Sequence, residues 1–312
     1  MIALYHDIVM SGLVPGIHEF ATKKWMAGTS PAMTKKQNDK QSASGHIRVG
    51  IGGWSYAPWR GVFYPKGLKQ VDELSFATSK LTSIEINATH YRLQNPKSFH
   101  IWAATAPDGF VFSVKGPRLV TQQKELAETG NFISRFFKSG LTELGDKLGP
   151  VLWQFAPFKR FDENDLGKFL DLLPRELDGR KINHVIEVRH ESFNTPRFVE
   201  LARETGVTIA YVDAESWPSI ADLTGDVIYA RLQKGDDTLP AAYKPKDLDK
   251  WTERAKVWAK GSAPSDLPLV DAERQAQPKP REVFIYFIHE GKLRAPAAAM
   301  ALIERLNSGA AA

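Results

Sequence analysis

The chain of 312 residues is 43% hydrophobic and 25% charged, ordinary for a globular protein and long enough to bury one large core. It contains no cysteine, which excludes disulfides, thiolate catalysis and cysteine-ligated zinc or iron–sulfur centres, and which fits a reducing, cytoplasmic setting. The formal charge of +5 includes a first stretch, residues 1–46, in which five Lys face three acids; the remainder is nearly balanced, unlike a dedicated DNA-binding surface, yet tolerates an anionic substrate.

Residues 1–46 lose apolar periodicity after the first dozen and end in the polar, turn-rich stretch from Thr34 to Gly45, so they read as a disordered N-terminal extension. No Lys or Arg precedes Lys23, and Ser11, Gly12 and Pro15 break the early apolar run, against a secretory signal. No stretch reaches the roughly 18 apolar residues of a membrane span, and no membrane partner is expected.

The chain then changes character at Ile47–Pro65. Alternating apolar residues and glycine give a first strand, and the Gly52-Gly53 pair turns the backbone sharply, leaving Trp54, Ser55, Tyr56 and Trp59 around its end. Further strands are predicted at Ser83–Asn87, Phe110–Lys115, Val151–Phe155, Asn183–Arg189, Val207–Asp213, Val227–Leu232 and Val283–Ile288. Helical spacing separates them, as at Val71, Leu74 and Leu81, at Phe198, Leu201 and Ala202, and at Ala298, Leu302, Ile303 and Leu306. Near-continuous Val, Ile, Phe and Tyr in the strands implies parallel strands covered by helices. Eight such units over residues 47–312 match a single closed (β/α)8 barrel of TIM type; a doubly wound open sheet is the alternative. A helical insertion after strand three, residues 118–149, carries Phe132, Phe136, Leu141, Leu144 and Leu148, spaced for packing or for a lid. Residues 261–281, rich in Pro, Ala and charge, read as a solvent loop.

Residues two apart on a strand share a face. Polar pairs at that spacing end five strands: Glu85 with Asn87, Ser113 with Lys115, Glu187 with Arg189, Tyr211 with Asp213, and Tyr229 with Arg231; Gln154 ends the fourth. A barrel gathers such ends into one pocket at the C-terminal face, where charge meets ligand or pairs with itself. Glu85 and Glu187 are then candidate acids or bases, Lys115 an electrophile or proton carrier, and Arg189 and Arg231 anion clamps, with Trp54, Ser55, Tyr56, Asn87, Tyr91, Gln154 and Asp213 lining the pocket. The structural alternative is that Glu187 with Arg189, or Glu85 with Arg231, are ion pairs closing the barrel top. No cofactor is expected. His90, His190 and His289 each follow a strand near Glu85, Glu187 and Glu290, so a divalent metal is conceivable, although no local ligand signature occurs. Dinucleotide, P-loop and nucleophile-elbow motifs are also missing from the sequence.

Seven motifs in order resemble the YecE-like family, a domain of unknown function numbered 72. They are Gly50-Ile-Gly-Gly-Trp-Ser-Tyr56 with Trp59; Phe63-Tyr64-Pro65; Glu85-Ile-Asn87 with Thr89 and Tyr91; Phe112-Ser-Val-Lys115; Leu148-Gly149-Pro150 with Gln154-Phe155 and Pro157; Glu187-Val-Arg189-His190 with Ser192; and Tyr229 with Arg231. The resemblance runs from about residue 47 to the C-terminus and implies a TIM-type barrel, but no established reaction. The chain departs from it at His90, where the family often has Phe, at Gln233-Lys234-Gly235 in place of His-Gly, and at Ile288-His289-Glu290-Gly291 in place of paired asparagines, which keeps His289 and Glu290 out of the expected site. The leading expectation is a cytoplasmic enzyme, a hydrolase, lyase or isomerase, acting on a small polar anion that bears phosphate or carboxylate. The alternatives are a non-catalytic module binding nucleic acid or an anionic metabolite, and a metal-dependent hydrolase or nuclease.

Overall fold

The computed structural model describes residues 44–274, 276–289 and 292–308. The expected extension therefore lies outside the described residues up to position 43. Gly45 and His46 are already tied to the folded body: Gly45 N–H donates to the Ala259 carbonyl at 2.9 Å and the His46 carbonyl accepts from Val283 N–H at 2.8 Å.

Nine hydrogen-bonded segments make one parallel sheet, and the two at its ends, Thr208–Ile209 and Tyr211–Asp213, are halves of a single strand around Ala210. The first half pairs with His184–Glu187 and the second with Val227–Leu232, so the chain itself closes the ring. Counted this way the barrel has eight strands: Ile47–Gly52, Ser83–Ile86, Val111–Lys115, Leu148–Gln154, His184–Glu187, the divided strand six, Val227–Leu232 and Glu282–Phe287. Each falls within a few residues of its predicted range. The fourth starts early, at Leu148, and its register against the third slips between Phe112 and Val114. Among the described residues no helix is long and apolar enough to cross a membrane.

The pleat explains the two cores. Inward residues Val111, Leu152, Val185, Ala210, Val227, Tyr229, Phe284 and Tyr286 fill the lower barrel. Outward ones, such as Ile84, Phe112, Trp153, Ile186 and Phe287, belong to the larger cluster beneath the helices. Proline at the first helical position starts Pro96–Thr105, Pro196–Thr205 and Pro245–Ala259, where the missing N–H is no loss. Asn95 and Asp162 cap the helices that follow them by accepting from Ser98 and Asp165 N–H, both at 2.9 Å.

Three details differ from the sequence reading. The crossover from strand six to seven, residues 214–226, contains no helix. Val71 is exposed in a short turn, Gln70–Asp72, ahead of the helix Glu73–Lys80. Residues 261–281 are irregular but anchored rather than free in solvent: Leu267 and Asp271 are buried, and the Asp222 carboxylate accepts from Val270 and Asp271 N–H at 2.7 and 2.9 Å. A carboxylate satisfying irregular backbone leaves no apolar period to read. In the insertion, Phe136 and Phe137 pack on Trp153 with centroids 5.8 and 6.3 Å away, and Ile133, Leu141 and Leu144 are buried, so those residues pack.

Candidate functional site

Above the apolar floor of the barrel the inward row turns polar. Ser83 and Ser113 bond Tyr286 and Tyr229 hydroxyls at 2.6 and 2.9 Å, and the Tyr229 hydroxyl donates to Glu85 Oε2 at 2.7 Å. Glu85 lies on strand two and Arg231 on strand seven, separated in the ring by strands one and eight. Arg231 reaches across: Nε and Nη2 donate to the two Glu85 oxygens at 3.1 Å each, and Nη1 donates to Glu187 Oε2. Glu187 Oε1 also accepts from Gln154 Nε2 at 2.8 Å and Arg189 Nε at 3.0 Å. Both predicted ion pairs thus exist, joined through one guanidinium, with both carboxylates fully buried.

These charges set one another's proton affinities. Burial alone would raise Glu187, but Arg231, Arg189 and Lys115 outweigh it and hold the carboxyl below its usual range. Burial opposes the charge of Arg231, yet Glu187 and Glu85 raise it above an ordinary arginine. Burial, seconded by Glu85, pushes the Tyr229 phenol well up, so it remains a donor. Lys115 goes the other way. Burial and the neighbouring Arg231 lower it to about 8, with Glu85 and Glu187 pulling back.

The register Ile86↔Val114, carried one step further, sets Asn87 beside Lys115 on adjacent strands. At Asn87, on the strand-one side, opens a cleft of about 370 Å³ lined by Gly52, Gly53, Trp54, Ser55, Tyr56, Asn87, Ala88, Tyr91 and Lys292. Gly53 has a φ of +73°, the left-handed turn that ends the first strand. Lys292 is lowered by burial and by Arg231, against Glu85, which places its ammonium within the field of the ion-pair group. Arg189 lays its guanidinium over Trp217, 4.8 Å from the ring centroid. Among the described residues the Lys115 ammonium, the Lys292 ammonium and the two Nη atoms of Arg189 make no protein hydrogen bond or ion pair. Four cations thus accompany two carboxylates; of the three with free donors, Lys292 lines the cleft, Arg189 is part-exposed and Lys115 is buried.

The gathering holds for most expected residues. Glu85, Lys115, Glu187, Gln154, Arg189 and Arg231 share the interior; Trp54, Tyr56, Asn87 and Tyr91 line the cleft. Ser55 lines it too, but its hydroxyl bonds Glu73 Oε2 at 3.1 Å. Asp213 does not join: with Ala210 pointing inward, strand six has the opposite parity, Tyr211 packs on Trp251 and Trp258, and Asp213 pairs with Lys234 at 3.1 Å outside the ring. Trp59 is core, 1% exposed, its Nε1 donating to the Lys292 carbonyl at 2.8 Å. His90 bonds the Gly116 carbonyl, His190 bonds Ser192, and buried His289 bonds Asp237. No group of three or more His, Asp or Glu positioned for a metal occurs among the described residues; Glu290 lies outside them. Lys292 and Trp217 escaped the sequence reading because both sit on irregular crossovers, beyond the strand-end spacing that found the others.

The family described as "Protein of unknown function DUF72" matches residues 48–312. The chain is 27% identical over 148 residues to UPF0759 protein YecE of Escherichia coli, covering 47% of this chain and 50% of that one, so the match spans about half the length of that relative. It is 25% identical over 210 residues to UPF0759 protein YunF of Bacillus subtilis, covering 65% and 67%. In structure it is similar to a DUF72 family protein of Thermotoga maritima, with TM-score 0.61, 23% identity and 86% and 100% of the two chains covered. A DUF72 family protein of Enterococcus faecalis gives 0.61, 18%, 84% and 98%. With the family matched from the first strand to the C-terminus and the closed parallel ring in place, this chain belongs to the DUF72 family.

Proposed function

We propose that this barrel is an enzyme that binds a small phosphate- or carboxylate-bearing metabolite at its C-terminal mouth and moves a proton on it through Lys115. One observation carries the reading: four cations, Lys115, Arg189, Arg231 and Lys292, gather around two carboxylates, and Lys115, Arg189 and Lys292 keep donors free. An anion bound there meets uncompensated positive charge in a site where water screens little. Glu85 and Glu187 each receive Arg231 and at least one further donor, so their oxygens are already engaged as supports, and Glu187 is held below the usual carboxylate range by Arg231, Arg189 and Lys115. Lys115, near 8, has a usable neutral fraction at physiological pH and serves as the base. The reading needs no cofactor, and a chain without cysteine suits the reducing cytoplasm, where we place it.

The test is a thermal-shift screen of the full-length protein against phosphorylated and carboxylated metabolites, followed by turnover assays on whatever stabilises it. The expected result is a ligand whose binding weakens in Arg189→Met and Lys292→Met, and whose turnover rises with pH through about 8 in the parent protein and is lost in Lys115→Met. A Lys115→Met protein that turns over the ligand with the same pH profile removes Lys115 from the chemistry. Ligands that bind without regard to their anionic group remove the anion site.

A further inference from the structure

We propose that the cleft over strands one and two is a subsite for a nucleobase, so that the anion of the proposed reaction is a nucleoside phosphate. The inference deepens the anion-site reading and rests on it for the phosphate alone; the base is argued from separate residues.

The Asn87 carboxamide is the first of them. Its Oδ1 is buried without a hydrogen-bond partner, and its Nδ2 bonds no group among the described residues. A buried polar atom left unpaired is costly, and because this one is closed to water it meets a ligand only when the carboxamide turns toward the cleft that Asn87 lines. A carboxamide edge offers one acceptor beside one donor, and the amide or amidine edge of a base returns one donor beside one acceptor. Gly52 keeps that edge reachable: a side chain there would begin 2.9 Å from Asn87 Nδ2 and block it.

The walls are aromatic and held in place. Trp54 stands edge-on to Trp102 and Tyr56 edge-on to Trp59, each with centroids 5.2 Å apart, so neither ring is free to fall into the cleft. Tyr91 forms the lip with 68% of its surface exposed, and the Arg118 guanidinium sits 5.9 Å from its centroid. The ring faces of Trp54, Tyr56 and Tyr91 give a planar ring flat surfaces to lie against, and the Asn87 carboxamide and the Lys292 ammonium, which line the same cleft, suit polar atoms on its edge. Because Asn87 neighbours Lys115 on the sheet, a base seated on Asn87 directs its attached phosphate toward Lys115, Lys292 and Arg189.

The experiment is calorimetric titration of the full-length protein with adenosine, guanosine, cytidine and uridine, their 5′-monophosphates, ribose 5-phosphate and inorganic phosphate. At least one nucleoside binds saturably, and its monophosphate binds more tightly than either the nucleoside or ribose 5-phosphate. Asn87→Leu weakens that nucleoside by about tenfold or more and leaves inorganic phosphate unchanged. Tyr91→Ala, at an exposed position that does not endanger folding, also weakens it. If ribose 5-phosphate binds as tightly as every nucleotide and no nucleoside binds, the base subsite is wrong while the anion site stands. If a nucleoside binds and phosphate neither competes with nor adds to nucleotide binding, the base subsite stands and the anion reading fails. Nucleoside binding that is equal in the parent and in both variants overturns the subsite.

Discussion

Arg231 meets Glu85 across the barrel interior with two hydrogen bonds of 3.1 Å, one to each carboxylate oxygen. The third arm of the same guanidinium goes to Glu187, so a single side chain bridges two buried carboxylates, one from strand two and one from strand five. Removing it leaves both without their main partner in a place water does not reach. Arg231→Met is expected to lose about 3–5 kcal/mol in urea unfolding at pH 7, and adding Glu85→Gln and Glu187→Gln to that variant restores part of the loss. A loss under about 1 kcal/mol would mean the pair behaves as a surface bridge.

Lys115 makes the opposite prediction. Below about 8 it is protonated in both states, and holding that charge in the barrel costs stability. Between about 8 and 10.5 the folded protein has shed a proton that the unfolded chain still carries, so stability rises with pH across that window and levels off above it. The size is on the order of 2–3 kcal/mol. Lys115→Met is therefore expected to be more stable than the parent at pH 7, to lack the alkaline rise, and to lose ligand turnover. Chemical denaturation at pH 7, 9 and 10.5 reads it; a less stable Lys115→Met with the rise intact would refute it.

The barrel was legible because its strands carry β-rich runs that a parallel sheet buries on both faces, and the polar site was legible because Glu85, Lys115, Glu187 and Arg231 each fall at the C-terminal end of a strand, two residues from another polar side chain. Asp213 misled for a reason visible only in three dimensions. Period two fixes which residues share a face but not which face is inside, and Ala210 on strand six sets the parity against it. Lys292 and Trp217 were hidden for another reason. Irregular crossovers have no period, and their place is fixed by contacts such as the Lys292 carbonyl with Trp59.

His90 and His184 make the protein acid-sensitive before its carboxylates titrate. Burial lowers both to about 4; Lys115 adds to the effect at His90, and Arg175 at His184, while a backbone carbonyl opposes it in each case. His184 is held neutral by accepting from Trp153 Nε1 at 3.1 Å, which leaves Nε2–H to donate to the Pro174 carbonyl at 2.8 Å. As pH falls from 6.5 to 4 the unfolded chain takes up protons that the folded one refuses, so stability falls across that window. Each histidine accounts for about 2–3 kcal/mol at full effect. His90→Phe, the aromatic that the family resemblance puts there, is expected to flatten its share of the decline. Denaturation midpoints at pH 7, 5.5 and 4.5 that fall in parallel for variant and parent would count against it.

Asp237 sets the height of Lys292 without touching the cleft. Its carboxylate bonds buried His289 Nε2 at 2.7 Å and accepts from the amides of Leu293 and Arg294 at 3.0 and 2.8 Å, just after Lys292, whose φ is +58°. Three donors on one carboxylate hold the left-handed backbone from which the Lys292 side chain enters the cleft, and a non-glycine residue keeps that conformation only when its surroundings impose it. Asp237→Ala is expected to weaken anion binding as much as Lys292→Met does, while the double variant is no weaker than either alone, because one change already removes what the other acts through. Titration of the two single variants and the double variant with inorganic phosphate decides it. Additive losses would mean that Asp237 acts on the site by a route other than Lys292.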